Sequence, residues 1–489
     1  MTLDVLDLTR LQFAVVTIYH YLFVPLSISL AAATAGLHTA WLRTGRDELR
    51  RLTLLVGKLL LVTFAVGVVT GLVQEFQFGM AWSAFARFYG DVFGPTLAIE
   101  GMLAFFLEAT FLGLWFFGWD RLPRLVHLAT IWVVAVGTLI SAFVILAANS
   151  FMQNPVAYAL DPDTGRARLT SFRELLLNEV NLAAFPHTMS GAAMCGGALL
   201  LAIGAWRRWV RPGAADTAEL AAFGLLARVG AWTTLAGGAL TAATGDVLGK
   251  VVAHVQPMKM AAAEALYDTT AGAPFSVLAL GRPSEREPFL SVEIPRLLSF
   301  LVGGSPDATV QGIDDLQARY VEQFGPGNYV PVVPVAFWSF RAMIGAGVLA
   351  AALALAYLWL TRRGRELTPQ RPAPRWLLRA VPVLPLLPAA ANSAGWVFTE
   401  TGRQPWLAFG ISRTADGISP GLTAAEALVS LLAFTAVYGV VLVVWLRLVA
   451  SLARRGLPPA AAAGPPAAGS PQRDPAARPD PAADLAPTY

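Results

Sequence analysis

The residues from Gly94 to Asp120, GPTLAIEGMLAFFLEATFLGLWFFGWD, constrain this chain more than any other stretch. From Thr96 to Trp119 the run is long and apolar enough to cross a bilayer as one helix. It nevertheless carries two carboxylates, Glu100 and Glu108, inside the span. An acidic side chain at membrane depth costs at least ~2.5 kcal/mol on insertion scales, so such residues face a bundle interior and mark sites of chemistry. On a straight α-helix an eight-residue spacing gives ~12 Å along the axis and ~80° around it, so both carboxylates can line one path at two depths. A packing hydrogen bond accounts for one buried glutamate more easily than for two.

Composition sets the class. Of 489 residues 56% are hydrophobic and only 14% charged, against about 25% charged in soluble chains, which predicts an all-α polytopic membrane protein. The net charge of +4 and the absence of a basic run interleaved with aromatics give no sign of nucleic-acid binding. A single cysteine, Cys195, excludes an internal disulfide, a zinc cluster, an iron–sulfur centre and a C-x-x-C-H haem attachment. The N-terminal MTLDVLDLTR has no basic region, and the apolar run after it is too long for a signal peptide, so it reads as a retained helix.

Apolar windows predict nine spans, at about 11–41, 52–73, 96–118, 125–148, 186–206, 221–245, 334–360, 377–400 and 424–450. Loops after spans one, three, five and seven hold fifteen arginines: Arg43, Arg46, Arg50, Arg51, Arg121, Arg124, Arg207, Arg208, Arg211, Arg362, Arg363, Arg365, Arg371, Arg375 and Arg379. The other side, without its longest loop, holds seven: Arg10, Arg87, Arg166, Arg168, Arg173, Arg403 and Arg413. The positive-inside rule then places the N-terminus outside and the C-terminus in the cytoplasm. The organisation is residues 1–245 with six spans, an external loop 246–333, spans seven to nine within 334–452, and a Pro/Ala-rich tail, 453–489, that reads as disordered. The 149–185 loop has a short helical reading around Phe172–Asn181, and the long loop has one from Met258 to Asp268. A loop as long as 246–333 in a compact membrane protein is usually functional.

The five histidines are His20, His38, His127, His187 and His254. His20 sits mid-helix and His187 at the outer start of span five; His127 reads as interfacial. His38, ~27 Å further along the first helix, cannot share a ligand with His20. A lone helical histidine is more often structural than a ligand, but depth changes the balance. Glu100, His187, Met343, Glu400 and His20 fall in one outer layer, with Arg341 and Arg403 beside them. Imidazole, thioether and carboxylate groups with nearby guanidinium groups are the donor types of haem irons and haem propionates. Lys58, Glu108 and Ser141 read as a second, proton-handling group, with packing polars as the plain alternative for Lys58 and Ser141.

Eight motifs in order carry a resemblance: YHYLFVPLSISL (19–30), GLVQEFQFGMAWS (71–83), GPTLAIEGMLAFFLEATF (94–111), FFGWDR (116–121), LAANSFMQNP (146–155), FPHT (185–188), FRAM (340–343) and GRQPW (402–406). Over about residues 8 to 452 the chain resembles subunit I of the cytochrome bd-type quinol oxidases. The resemblance implies His187 and Met343 as the axial pair of a low-spin haem b, with Arg341 beside it. It implies His20, Glu100 and Glu400 around a high-spin haem b and a haem d, with His20 and Glu100 preferred for haem d and Glu400 for haem b. Trp396 and Arg403 match positions close to those haems, Lys259 and Glu264 a quinol-oxidising pair, and Lys58, Glu108 and Ser141 a proton route. The external loop lacks a long insertion that some members carry, which makes this a short-loop form.

As the resemblance has it, quinol (ubiquinol or menaquinol) is oxidised outside, electrons reach O2, and protons for water come from the cytoplasm, so charge separates without a pump. A second hydrophobic subunit, possible small subunits and membrane lipid are the implied partners, in the cytoplasmic membrane of a prokaryote. A haem–copper oxidase would need at least six histidine ligands and five are present; the repeated histidine pairs of a bc-type cytochrome are absent. A proton-coupled transporter is the alternative from another class; it explains Glu and Lys at depth but not the His/Met/Arg layer.

Overall fold

The computed structural model describes residues 4–210, 217–280, 290–362 and 374–458. Arg211, Arg363, Arg365 and Arg371 of the orientation argument, and the tail from residue 459, lie outside the described residues. Among the described residues eight helices are long and apolar enough to cross a membrane. They are α1 (Val5–Thr44), α2 (Asp47–Met80), Ser83–Phe117, α5 (Arg124–Gln153), the helix beginning with α7 (Glu179–Ala205), α8 (Thr217–Val255), α12 (Val333–Leu360) and α15 (Ala424–Arg455). The Ser83–Phe117 helix comprises α3 (Ser83–Glu100), a π-helical segment Gly101–Glu108, and α4 (Ala109–Phe117). The expected all-α membrane architecture is thus present.

The eighth predicted span, 377–400, is not one continuous helix. Pro382 and Pro385 interrupt it, leaving α13 (Arg375–Ala380) and the 16-residue α14 (Leu386–Thr401). Proline removes a backbone donor and clashes with the preceding turn, so the chain leaves α-helical pairing there. Other spans run longer than their apolar windows. The helix carrying His187 starts at Glu179, capped by the Asn178 side chain, so His187 lies about two turns inside rather than at its start. The loop of 149–185 adds a β-ribbon of β1 (Tyr158–Leu160) and β2 (Ala167–Leu169) before the one-turn α6 (Phe172–Leu176). The long loop starts with α8 still helical to Val255, then α9 (Pro257–Glu264), short ribbons β3 to β6, α10 (Leu297–Gly303) and α11 (Ile313–Phe324). The helical reading of Met258–Asp268 ends early, at Ala265 in the left-handed region.

Small residues set the closest helix contact. A Cβ added at Gly230 on α8 would lie 2.3 Å from the Leu201 backbone nitrogen and 2.5 Å from the Gly197 carbonyl on α7. Gly204 meets the Phe223 carbonyl and Ala227 in the same way. Without a hydrophobic force between helices in lipid, such backbone approach is what holds a pair together. On the side of the bundle away from the long loop, α1, α2, α4, α5 and α15 enclose a largely apolar core around Leu30, Leu52, Leu55, Leu59, Trp115 and Ile131.

His38 and His127 belong to that core. His38 is fully buried, accepts from Trp115 Nε1 at 3.2 Å and stacks on Trp41 and Trp119. His127, 3% exposed, donates to the Trp115 carbonyl at 2.7 Å. The interfacial reading of His127 is therefore corrected: helix α5 begins at Arg124, and its first turn tucks under the tryptophans.

Because the contact at Gly230 is to backbone, nothing can give way there. Gly230→Val should lower the melting temperature of the folded subunit strongly, with an overpacking cost of about 1–3 kcal/mol or more. An unchanged melting curve would show that α7 and α8 are not held by this approach.

Candidate functional site

The expected site residues gather at three places. The first is the junction of the long loop with the bundle, where α9 is almost fully buried and carries Lys259 and Glu264, 3% and 6% exposed. Glu264 Oε2 accepts from Arg341 Nη2 of α12 at 2.7 Å. The same guanidinium donates to the Ala263 carbonyl and, at 2.9 and 2.6 Å, to the Ser276 carbonyl of β4 (Phe275–Leu280). Its flat face lies 3.8 Å from the centre of the Phe337 ring. Arg341 thus ties two parts of the loop to one helix. Glu264 Oε1, also buried, has no partner among the described residues.

Lys259 lies one helical turn back and packs against Gly402, where a Cβ would meet its Cγ at 2.7 Å. Its Nζ donates to Gln153 Oε1, and Gln153 is held in turn through its carbonyl by Gln256 at 2.8 Å. Glu400 pairs with Arg403 and accepts from Asn149 at 2.9 Å; Arg403 also donates to the Trp406 and Leu407 carbonyls. Burial lowers the Lys259 ammonium to about 7, partly offset by Glu400 and reinforced by Arg403. Burial raises the Glu264 carboxyl to about 7 against the pull of Arg341. Two side chains of opposite type on one buried helix are therefore both poised to exchange protons at neutral pH.

The second place is the pair of helices bearing His187 and Met343. Counted from Glu179 and Val333, these lie ~12 and ~15 Å into α7 and α12, at matching depth. His187 Nδ1 faces the Thr241 carbonyl of α8 at 3.1 Å. A carbonyl only accepts, so Nδ1 carries the proton and Nε2 keeps its lone pair. Met343 Sδ sits where α14 has only a glycine; a Cβ at Gly395 would meet it at 3.0 Å. Trp396, the next residue, meets the Tyr21 ring edge-on at 5.2 Å.

The third place lies between α1, α2, α3 and α5. His20 Nδ1 is 3.1 Å from Thr70 Oγ1. The Thr70 hydroxyl already donates to the Val66 and Gly67 carbonyls at 2.9 and 3.0 Å, so it accepts from His20 and again leaves Nε2 free. Such second-partner bonds are what fix a metal-ligating histidine. Ser141 donates to Glu100 at 3.4 Å, and Glu75 of α2 hydrogen-bonds the Glu100 carboxyl. Glu108 is 4% exposed with Oε1 unpartnered among the described residues, and its Cγ lies 3.3 Å from a Cβ placed at Gly137. The π-helical turns between Glu100 and Glu108 replace the straight-helix geometry assumed above, so the ~80° reckoning does not hold. Lys58 is not brought in. It is exposed on α2, and no hydrogen bond or ion pair joins it to Glu108 among the described residues.

Glu75, Asn149, Gln153, Thr70 and Thr241 were missed as site residues. The first three lie within quoted motifs, and an acid or amide inside an apolar run was the available signal; the two threonines carry no signal of their own. The donor set fits haem iron: two imidazoles with free Nε2, a thioether, carboxylates, and guanidinium groups within the same layer. No group of three or more His, Cys, Asp or Glu forms a protein-only metal site among the described residues.

A helical bundle with this donor set is a membrane-embedded redox protein. The chain matches the family described as cytochrome bd terminal oxidase subunit I over residues 8–457. It is 40% identical to the cytochrome bd ubiquinol oxidase subunit 1 of Bacillus subtilis (strain 168), over 88% of this chain and 90% of the relative. It is 35% identical to the cytochrome bd-II ubiquinol oxidase subunit 1 of Escherichia coli (strain K12), covering 93% and 97%. Its fold resembles the bd oxidase structure from Geobacillus thermodenitrificans, with TM-score 0.81, 26% identity, and 92% and 99% coverage. The chain belongs to the cytochrome bd terminal oxidase subunit I family. It is an oxidoreductase of the respiratory chain, a multi-pass haem protein with a quinol oxidase role, and the transporter alternative falls away.

Arg341→Leu should leave Glu264 without the guanidinium that pairs with it. The carboxyl then stays protonated well above pH 7, seen as an infrared carboxylic-acid band at pH 8 that vanishes when Glu264→Gln is added. A carboxylate that titrates as in the parent would show that Arg341 does not govern it.

Proposed function

We propose that this chain oxidises quinol at the loop–bundle junction, outside the cell membrane, and delivers electrons through three haems to dioxygen. The observation that carries the reading is Glu264: one carboxylate oxygen is ion-paired to Arg341 and the other has no side-chain partner among the described residues, on the same buried helix as Lys259. A quinol must lose two protons as its electrons leave. Glu264 Oε1 takes one hydroxyl proton, and Lys259, which burial brings to about 7 and Gln153 holds in place, takes the other as its neutral amine.

His187 and Met343 would hold the low-spin haem b, with Arg341 beside it, and Trp396 would lie close to the high-spin haems. His20 with Glu100 would serve haem d, and Glu400 with Arg403 the high-spin haem b. The haems, once bound, supply one-electron carriers from quinol and an open iron position for dioxygen. Thr241 and Thr70 keep both imidazoles in the tautomer that presents Nε2. Glu108, Ser141, Glu100 and the unanticipated Glu75 hold protons for water formation on a route from the cytoplasm. Lys58, exposed on α2, is placed for a segment of that route completed by subunit II rather than within this chain. Protons released outside and consumed from inside separate charge without pumping.

The test is the pH profile of quinol oxidation by the complex with subunit II. Glu264 acts as a base only when ionised, and its carboxyl sits near 7. Turnover should therefore fall as pH drops through 7. Glu264→Gln should lose about 10²-fold or more at pH 8 and flatten that limb while keeping the haem spectrum. A parent-like profile in the variant would contradict the assignment.

A further inference from the structure

Outside the site just described, one group of side chains has no apparent purpose. Where α1, α2 and α15 meet, on the half of the bundle that bears the long loop, three glutamines lie among mainly apolar side chains, Gln12 and Gln77 buried and Gln74 half-buried. Gln12 and Gln77 are 1% and 0% exposed. Gln12 Nε2 donates to Ser430 of α15 at 2.9 Å, and Gln74 Nε2 to Thr17 of α1 at 3.2 Å. Gln12 Oε1, Gln74 Oε1 and both amide atoms of Gln77 are buried without a partner among the described residues, as is Trp82 Nε1. Rotating any of these amides by 180° exchanges the roles of N and O but still leaves an atom unpaired.

These groups are aligned. The antiparallel register of α1 and α2 is fixed by His20 with Thr70 and Thr17 with Gln74, which puts Gln12 and Gln77 level with each other one turn further out. At the inner end, Tyr438 of α15, 1% exposed, donates to the Thr70 carbonyl at 3.1 Å, and its ring lies 5.2 Å from that of Tyr19. At the outer end Trp82 packs edge-on against Phe13 at 5.9 Å. A polar seam therefore runs from Trp82 to the His20–Thr70 contact. Leaving a buried amide atom unpaired costs about 1–3 kcal/mol, so four in one seam, apart from the indole, would be prohibitive without a ligand that both donates and accepts.

We propose that the seam holds a chain of internal water molecules, bound by Gln12, Gln74 and Gln77, that connects the loop-bearing face of the protein to the His20–Thr70 contact. Water is the ligand that fits: it donates to the amide oxygens, accepts from Gln77 Nε2 and Trp82 Nε1, and needs two to four such partners per molecule. On the opposite side of His20 the core around Leu55, Leu59 and Trp115 is built mainly of apolar side chains, whereas the polar seam runs to the His20–Thr70 contact. That the linked pocket is where water is formed rests on the function proposed above; the existence of the chain does not.

The test is hydroxyl-radical footprinting of the complete oxidase complex by synchrotron radiolysis in ¹⁸O-water, where bound water labels its neighbours even when they are buried. Tyr438 and Trp82 should take up ¹⁸O several-fold faster than Tyr329, a tyrosine that is also fully buried but outside the seam. In the Gln12→Leu/Gln74→Leu/Gln77→Leu variant, or in Gln77→Met if the triple variant does not fold, that uptake should fall to the Tyr329 rate. Labelling of Tyr438 and Trp82 no faster than Tyr329 in the parent complex overturns the proposal without any variant. Labelling unchanged in a folded variant shows that the glutamines do not hold the water, and overturns it equally. Haem content, read from the spectrum of the same samples, reports separately on the reading of the His20 pocket.

Discussion

The ion pair between Arg341 and Glu264 is the interaction on which the loop–bundle junction depends. Its two side chains are 8% and 2% exposed, and the guanidinium also satisfies the carbonyls of Ala263 and Ser276. A buried charge with no partner costs several kcal/mol, whereas a pair with its remaining donors satisfied is tolerable. By spending its donors on the end of α9 and on β4, Arg341 fixes both to a membrane helix. Lys259 and Glu264 are then held against the bundle instead of moving with the loop. The same burial that makes the pair demanding brings Lys259 and Glu264 to about 7 from opposite directions. Position and proton affinity have a common cause.

Deeper in the bundle the same economy of partners governs the histidines. Each of His20 and His187 gives its Nδ1 proton to an oxygen that cannot offer one back, and each presents Nε2 to a neighbouring space. His38 and His127 differ in their surroundings: they sit in a cluster of tryptophans. Side-chain type was the same in all four; second partners and surroundings separate ligand-like from structural.

The sequence made the class, eight of the nine predicted spans and most of the layer of polar groups legible, because a charged or imidazole side chain inside an apolar run is conspicuous. What it could not reveal depends on the third dimension or on local backbone. Prolines at 382 and 385 were visible, yet the apolar window across them was read as one span. The π-helical segment between Glu100 and Glu108 has no signature in apolar spacing, and it undid the angular argument. Lys58 looked like an intramembrane relay because depth is readable from sequence, but which face of a featureless apolar helix turns inward is not. Glu75 was passed over for the opposite reason: it lies near a span end, where an acidic residue raises no alarm until α3 brings Glu100 against it.

The central claim is that this layer of His, Met, Glu and Arg holds haem. It is tested most directly by a dithionite-reduced minus air-oxidised spectrum of membranes containing this chain with its partner subunit. The account predicts haem b bands together with the far-red absorption of a chlorin, and loss of the low-spin haem b contribution in Met343→Leu. A folded complex whose spectrum shows no haem would contradict it.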